Sequence, residues 1–134
     1  MGKSFHSVPV HLAWATALRR PLLVDGVQVW LWPMLADKAA EFGSTFTVVG
    51  GMPDHVHVLM ELPVTMSIAE VVRRLKGASS RIAHLRGMTE FSWQEGYGVF
   101  AIGRSDLDRV AAYIRRQRER HGADDIWSEL EKFP

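Results

Sequence analysis

The sequence predicts an α+β domain: a four-stranded antiparallel sheet, two helices on one of its faces, and an additional C-terminal helix. Three observations carry this. Apolar residues recur at every second position in short stretches, which is strand periodicity. They recur at helical spacing in three longer stretches. The two kinds of stretch follow one another in the order β-α-β-β-α-β, and a last helix comes after.

The elements follow in turn. Over residues 8–18, Val8, Val10, Leu12, Trp14, Thr16 and Leu18 alternate with their neighbours, a strand that Arg19-Arg20-Pro21 ends. Residues 29–42 carry Val29, Leu31, Met34, Leu35, Ala39 and Phe42, a helix whose start falls near Pro33 and which Gly43 stops. Residues 45–50 form a β-rich run, Gly51-Met52-Pro53-Asp54 is turn chemistry, and residues 55–62 are a strand again, so the two runs form a hairpin. Ser67 caps the next helix, with Glu70 as its capping-box partner. Ile68, Val71, Val72, Leu75, Ser79, Ile82 and Leu85 follow at helical spacing, and Gly87 ends it. Residues 96–102 alternate as the last strand, closed by Gly103. Ser105 caps a final helix marked by Leu107, Val110, Ala111, Ile114 and Arg118. This is the ferredoxin-like (RRM-like) order, with one sheet face left for the last helix or a ligand.

A chain of 134 residues without repeats or linkers reads as one domain, 1–134, long enough to bury a core. A hydrophobic fraction of 47% and a charged fraction of 23% exclude disordered and low-complexity classes. The absence of cysteine excludes disulfides, zinc–thiolate sites and a thiol nucleophile. Neither a leader-like apolar run nor a membrane-length one is expected. The net charge of +1 averages over uneven segments. Residues 73–86 carry Arg73, Arg74, Lys76, Arg81 and Arg86 without an acid, while Asp124, Asp125, Glu129 and Glu131 offset them in the tail. Such a chain can turn a basic face to a polyanion or carry solvated helix faces.

The chemistry concentrates in two places. Asp54-His55-Val56-His57 opens a strand, so His55 and His57 share one face and can ligate a metal together, or stand as a half-solvated pair. Asp54 belongs to the opposite face if the strand is regular there. Tyr113 and Gln117 lie four apart on the last helix, away from its apolar stripe. The phenol is a possible nucleophile and the amide oxygen a ligand for a hard cation; packing and solvation are the ordinary alternatives. Together the fragments suit a divalent ion on two histidines and a glutamine, with positions open to phosphate oxygens. Tyr113 could then attack phosphorus and release a 3′-oxygen.

The sequence resembles the IS200/IS605-type transposases, the single-tyrosine members of the His-hydrophobe-His nucleases. The resemblance rests on Val10-His11-Leu12-Ala13-Trp14-Ala15-Thr16 with Arg19-Arg20-Pro21, and on Met52-Pro53-Asp54-His55-Val56-His57-Val58-Leu59. It continues through Leu75-Lys76-Gly77, Ser79-Ser80-Arg81 and Trp93-Gln94-Glu95-Gly96-Tyr97. It ends on Val110-Ala111-Ala112-Tyr113-Ile114-Arg115-Arg116-Gln117. Ala17 and Leu18 depart from it, since the family often has lysine and an aromatic residue there. The resemblance implies the same fold with a catalytic C-terminal helix. It makes His55, His57 and Gln117 ligands of Mg2+ or Mn2+, and Tyr113 the nucleophile of a 5′-phosphotyrosine intermediate. It implies a homodimer, single-stranded DNA with hairpin ends, and residence on the bacterial or archaeal nucleoid in the cytoplasm. Arg73, Arg74, Lys76 and Arg81 are candidate phosphate contacts, and Trp93 and Tyr97 either stack on bases or pack in the core. His6, His11, His84 and His121 receive no role. Two other readings remain open: a nucleic-acid-binding protein acting on chromosomal repeats without cutting, and a hydrolase that uses water.

Overall fold

The structure is a computed structural model and describes residues 5–117 and 127–134. Strands β1 (Pro9–Ala15), β2 (Thr47–Met52), β3 (His55–Glu61) and β4 (Gly98–Ala101) form one sheet in the order β2-β3-β1-β4, with every neighbouring pair antiparallel. That is the predicted ferredoxin-like order. Helices α1 (Asp25–Glu41) and α2 (Ile68–Leu85) lie against one face, and α3 (Leu107–Arg115) against the other.

Period-two alternation separates the two faces. Val10, Leu12 and Trp14 of β1 and Val56, Val58 and Met60 of β3 point to one side. There they meet Leu31, Leu35 and Ala39 of α1 and Val71, Val72, Leu75 and Ala83 of α2. Leu59 points to the other side and packs with Val110, Ala111, Tyr113 and Ile114 of α3. His11, His55 and His57 share that second face by the same alternation. In the register, Ala13 stands opposite His57 and Ala15 opposite His55, so small side chains flank both imidazoles.

Local signals explain most of the boundaries. Ser67 Oγ accepts the Glu70 N–H at 3.1 Å and caps α2. Gly43 and Gly87 end α1 and α2 at φ +103° and +92°, values that glycine adopts without steric cost. Gly50 has a different task. A Cβ there would lie 2.2 Å from the Ile114 carbonyl oxygen, so α3 seats its backbone directly on β2.

Five boundaries differ from the sequence reading, the last strand among them, which is Gly98–Ala101 and not 96–102. Helix α1 starts at Asp25 and carries Pro33 in its interior, so the proline is not a helix boundary. Buried Leu31, Leu35 and Ala39, spaced by four, hold the helix across it, whereas Val29 is exposed. β2 extends to Met52, which pairs with His55, so the turn is only Pro53-Asp54. β1 stops at Ala15; Leu18 and Arg19 adopt positive φ, and Thr16 Oγ1 donates to the Arg20 carbonyl at 2.7 Å. Ser105 does not cap α3: it lies in a 3-10 turn, Arg104–Asp106, that feeds the helix.

Candidate functional site

The tight β2–β3 turn sets His55 at the first position of β3, and His57 follows on the same face. Their ring centroids are 5.0 Å apart and the rings are nearly perpendicular. Each Nδ1 has a partner and each Nε2 faces inward. His55 Nδ1 lies 2.7 Å from Asp54 Oδ1, and His57 Nδ1 lies 2.7 Å from His11 Nε2. On the inner side, His55 Nε2 is 3.3 Å from Glu131 Oε1 and 3.3 Å from Gln117 Oε1. His57 Nε2 is 2.9 Å from Glu131 Oε2. The Tyr113 hydroxyl donates to Glu131 Oε2 at 2.7 Å and accepts the Trp127 N–H at 3.1 Å. His55, His57, Tyr113 and Gln117 are all buried.

The charges follow from this packing. Burial works against the Glu131 carboxylate, but hydrogen bonds from His55, His57 and Tyr113 hold it well below the usual carboxylate range. Burial also pulls His55 down, and the Asp54 and Glu131 carboxylates outweigh it, raising His55 to about 9. Burial and the Glu131 acceptor push the Tyr113 phenol up to about 12, so it carries its proton at neutral pH. His11, buried beside His57, is lowered to about 3 and stays neutral.

His55, His57 and Glu131 offer ligand atoms that lie within 4.8 Å of one another, a group that could hold a metal ion. The fit is chemical as well as geometric. Two imidazoles with Nδ1 engaged elsewhere turn Nε2 inward, and a carboxylate adds a hard oxygen donor. Gln117 adds an amide oxygen beside the same His55 nitrogen.

Of the sequence-predicted residues, His55, His57, Tyr113 and Gln117 come together. Tyr113 is not apart from the apolar stripe but packs within it, beside Val110 and Ile114. The four basic residues are elsewhere, since α2 packs on the opposite sheet face. Arg73 and Arg81 are exposed. Arg74 pairs with Glu70 at 3.1 Å, and Lys76 donates to the Gln94 and Gly96 carbonyls at 2.8 and 2.7 Å. Trp93 lies edge-on to Trp14 and Phe91 and donates to Ser79 Oγ, and Tyr97 packs against the same core. His84 is held by the Phe91 carbonyl, and His121 and Arg118 lie outside the described residues.

Three residues escaped the sequence reading. Asp54 is a turn residue, so strand alternation does not send it to the opposite face; its carboxylate reaches the His55 ring. His11 was legible as a residue of the second face, but its partner depends on the β1–β3 register. Glu131 carries no local signal at all, because it ends a short 3-10 helix, Ser128–Glu131, too brief to mark a residue by periodicity. The C-terminal tail lies across the site. The Phe133 ring stands 5.3 Å from His55 and 5.9 Å from His57, and Arg19 stacks over it at 4.7 Å.

Residues 4–117 match the family model described as Transposase IS200 like. The chain belongs to the IS200-like transposase family. Within it, the ISDra2 transposase TnpA of Deinococcus radiodurans is 28% identical over 122 residues, covering 86% of this chain and 87% of that one. An insertion-element IS200 transposase of Salmonella typhimurium is 33% identical over 73 residues, 49% of this chain and 47% of its own. A crystal structure of a putative transposase from Deinococcus radiodurans superposes with a TM-score of 0.68 at 29% identity, covering 87% and 98% of the two chains. A REP-associated tyrosine transposase, solved bound to a REP hairpin, shares the fold at a TM-score of 0.63 and 17% identity, covering 91% and 75%. The match to the IS200-like family spans both histidines, the tyrosine and the glutamine, and stops short of Glu131.

Proposed function

We propose that this IS200-like transposase cuts and rejoins single-stranded DNA through a covalent 5′-phosphotyrosine at Tyr113. The observation that carries the reading is the convergence of His55, His57 and Gln117 with Glu131, whose carboxylate also accepts the Tyr113 hydroxyl, among buried side chains. His55 and His57, with oxygen from Glu131 and Gln117, would hold Mg2+ or Mn2+. When bound, the ion supplies charge stabilisation for a phosphate under attack. The Asp54 carboxylate holds the His55 imidazole by Nδ1, with Nε2 inward.

Tyr113 is the nucleophile. Its hydroxyl is protonated at neutral pH and held by Glu131 Oε2. Glu131, kept well below the usual carboxylate range, orients the phenol rather than acting as its base, and the proton leaves to solvent as the bond to phosphorus forms. The Tyr113 Oη–P bond forms, the P–O3′ bond breaks, and the leaving 3′-oxygen takes up a proton. The phosphotyrosine keeps the bond energy of the cut strand, so a 3′-hydroxyl can later reverse the step without ATP. A pure binding module has no use for a buried nucleophile beside a ligand cluster. A water-using hydrolase has no use for the tyrosine.

The same reading extends to partners. We infer single-stranded DNA with hairpin ends, a homodimer acting as single 134-residue domains, and action at the nucleoid in the cytoplasm. Arg73, Arg74 and Arg81 would meet phosphates from the outer helix layer, and Lys76 keeps one N–H to spare beyond its two carbonyl bonds.

The test is covalent trapping. Labelled single-stranded DNA from the flanks of the protein's own gene is incubated with Mg2+ or Mn2+ and denatured. A protein-bound label is expected for the wild type, and none for Tyr113→Phe or His57→Ala. Cleavage that survives Tyr113→Phe without an adduct would establish the hydrolase instead. Binding without cleavage on either metal would leave a non-cutting protein that acts on chromosomal repeats.

A further inference from the structure

His11 is the buried titratable group for which the strand-transfer chemistry has no direct use. Its ring is fully buried, 4.9 Å from the His57 ring, and the two share a 2.7 Å N···N contact that holds a single proton. We propose that His11 is a positioning residue for metal capture. When a cation takes the place of the His57–Glu131 hydrogen bond, His11 Nε2 accepts the Nδ1–H of His57, which holds His57 in the tautomer whose Nε2 lone pair faces the ligand cluster. This rests on the reading of His57 as a metal ligand.

A neutral imidazole has one N–H and one lone pair. For His57 Nε2 to bind a cation, the His57 proton has to sit on Nδ1. The atom 2.7 Å from Nδ1 is His11 Nε2, so His11 has to be the acceptor. His11 then carries its own proton on Nδ1, which has no hydrogen-bond partner among the described residues. A buried N–H without a partner costs stability. His11 is therefore poorly explained as a stabilising core residue, and an apolar side chain of similar size would pack there at lower cost. With Asp54 on His55, the two ligand rings are held by two different acceptors, one a carboxylate and one an imidazole.

The test uses the whole protein, His11→Leu, His11→Gln and the control His57→Ala. Mn2+ affinity is read by calorimetry, thermal stability by scanning, and the His57 tautomer by long-range 15N NMR with Mg2+ bound. Expected are the Nδ1–H form of His57 in wild type, Mn2+ affinity lowered about 10- to 100-fold in His11→Leu, and a Tm no lower than wild type. His11→Gln, whose amide oxygen can accept the same proton, should recover most of the affinity. Wild-type Mn2+ affinity in His11→Leu would overturn the assignment. So would an Nε2–H tautomer in the loaded wild type, a readout that stands even if His11→Leu does not fold. If His57→Ala also binds Mn2+ normally, the metal-ligand reading itself has failed, and not only the role of His11.

Discussion

Gly50→Ala tests how the tyrosine helix is held. The new Cβ would sit 2.2 Å from the Ile114 carbonyl oxygen and 3.0 Å from its Cγ2, whereas ordinary contact begins near 3.4 Å. Both sides of the clash are ordered main chain or branched side chain, so α3 has to move away from β2 by roughly 1 Å. Ile114 follows Tyr113 directly, and the helix carries the Tyr113 hydroxyl away from Glu131 and the His57 ring. Overpacking of this kind costs about 1–3 kcal/mol. A displacement of about 1 Å at the reacting centre costs on the order of 100-fold in rate. Gly77→Ala in α2 is the control, since a Cβ there meets nothing within 4 Å. It should stabilise the helix by about 0.5–1 kcal/mol without touching the site. The assays are the rate of adduct formation on single-stranded DNA and the Tm of both variants. A Gly50→Ala protein with wild-type rate and wild-type Tm would refute the seating of α3 on β2.

Metal-free stability should peak near pH 6.5, between two histidines of opposite sign. His55 is raised to about 9, so its contribution is full below 6.5 and is lost as pH rises towards 9; His11 is lowered to about 3, so stability also falls as pH drops from 6.5 towards 3. Urea titrations in chelator at several pH values would show the peak. Glu131→Gln removes the carboxylate that raises the tyrosine, so ultraviolet titration should find the Tyr113 phenol ionising below about 12, and Mn2+ affinity should fall at least about tenfold. Arg73→Ala with Arg74→Ala should flatten the salt dependence of single-strand binding by about 1.4 in log–log slope, or about 0.7 per lost phosphate contact. An unchanged slope would exclude that helix face from DNA.

Much of this could be read in the sequence because the decisive signals are local. Period two gave the two faces of β1 and β3, and with them the shared face of His55 and His57. Ser67 and Gly87 bounded α2 through caps that act within four residues. The four-residue spacing linked Tyr113 to Gln117. What could not be read depends on distance or on register. Pro33 suggested a boundary because its local cost is visible in sequence, while the burial of Leu31, Leu35 and Ala39 that overrides it is not. His11 meets His57 only because β1 lies beside β3 in one register. Glu131 reaches both histidines from a single 3-10 turn, Ser128–Glu131, too short for periodicity or spacing to mark a residue. Asp54 stood in the expected turn, but turn chemistry does not say where a carboxylate points, and this one meets the His55 ring.

The most direct measurement is to locate the covalent bond itself. The chain has two tyrosines, Tyr97 and Tyr113, so proteolysis and mass spectrometry of the trapped adduct distinguish them without ambiguity. The expected result is a 5′-phosphonucleotide on the peptide that contains Tyr113, formed only with a divalent metal and absent from His57→Ala. A nucleotide on Tyr97, or cut DNA with both tyrosines unmodified, would contradict strand transfer through Tyr113.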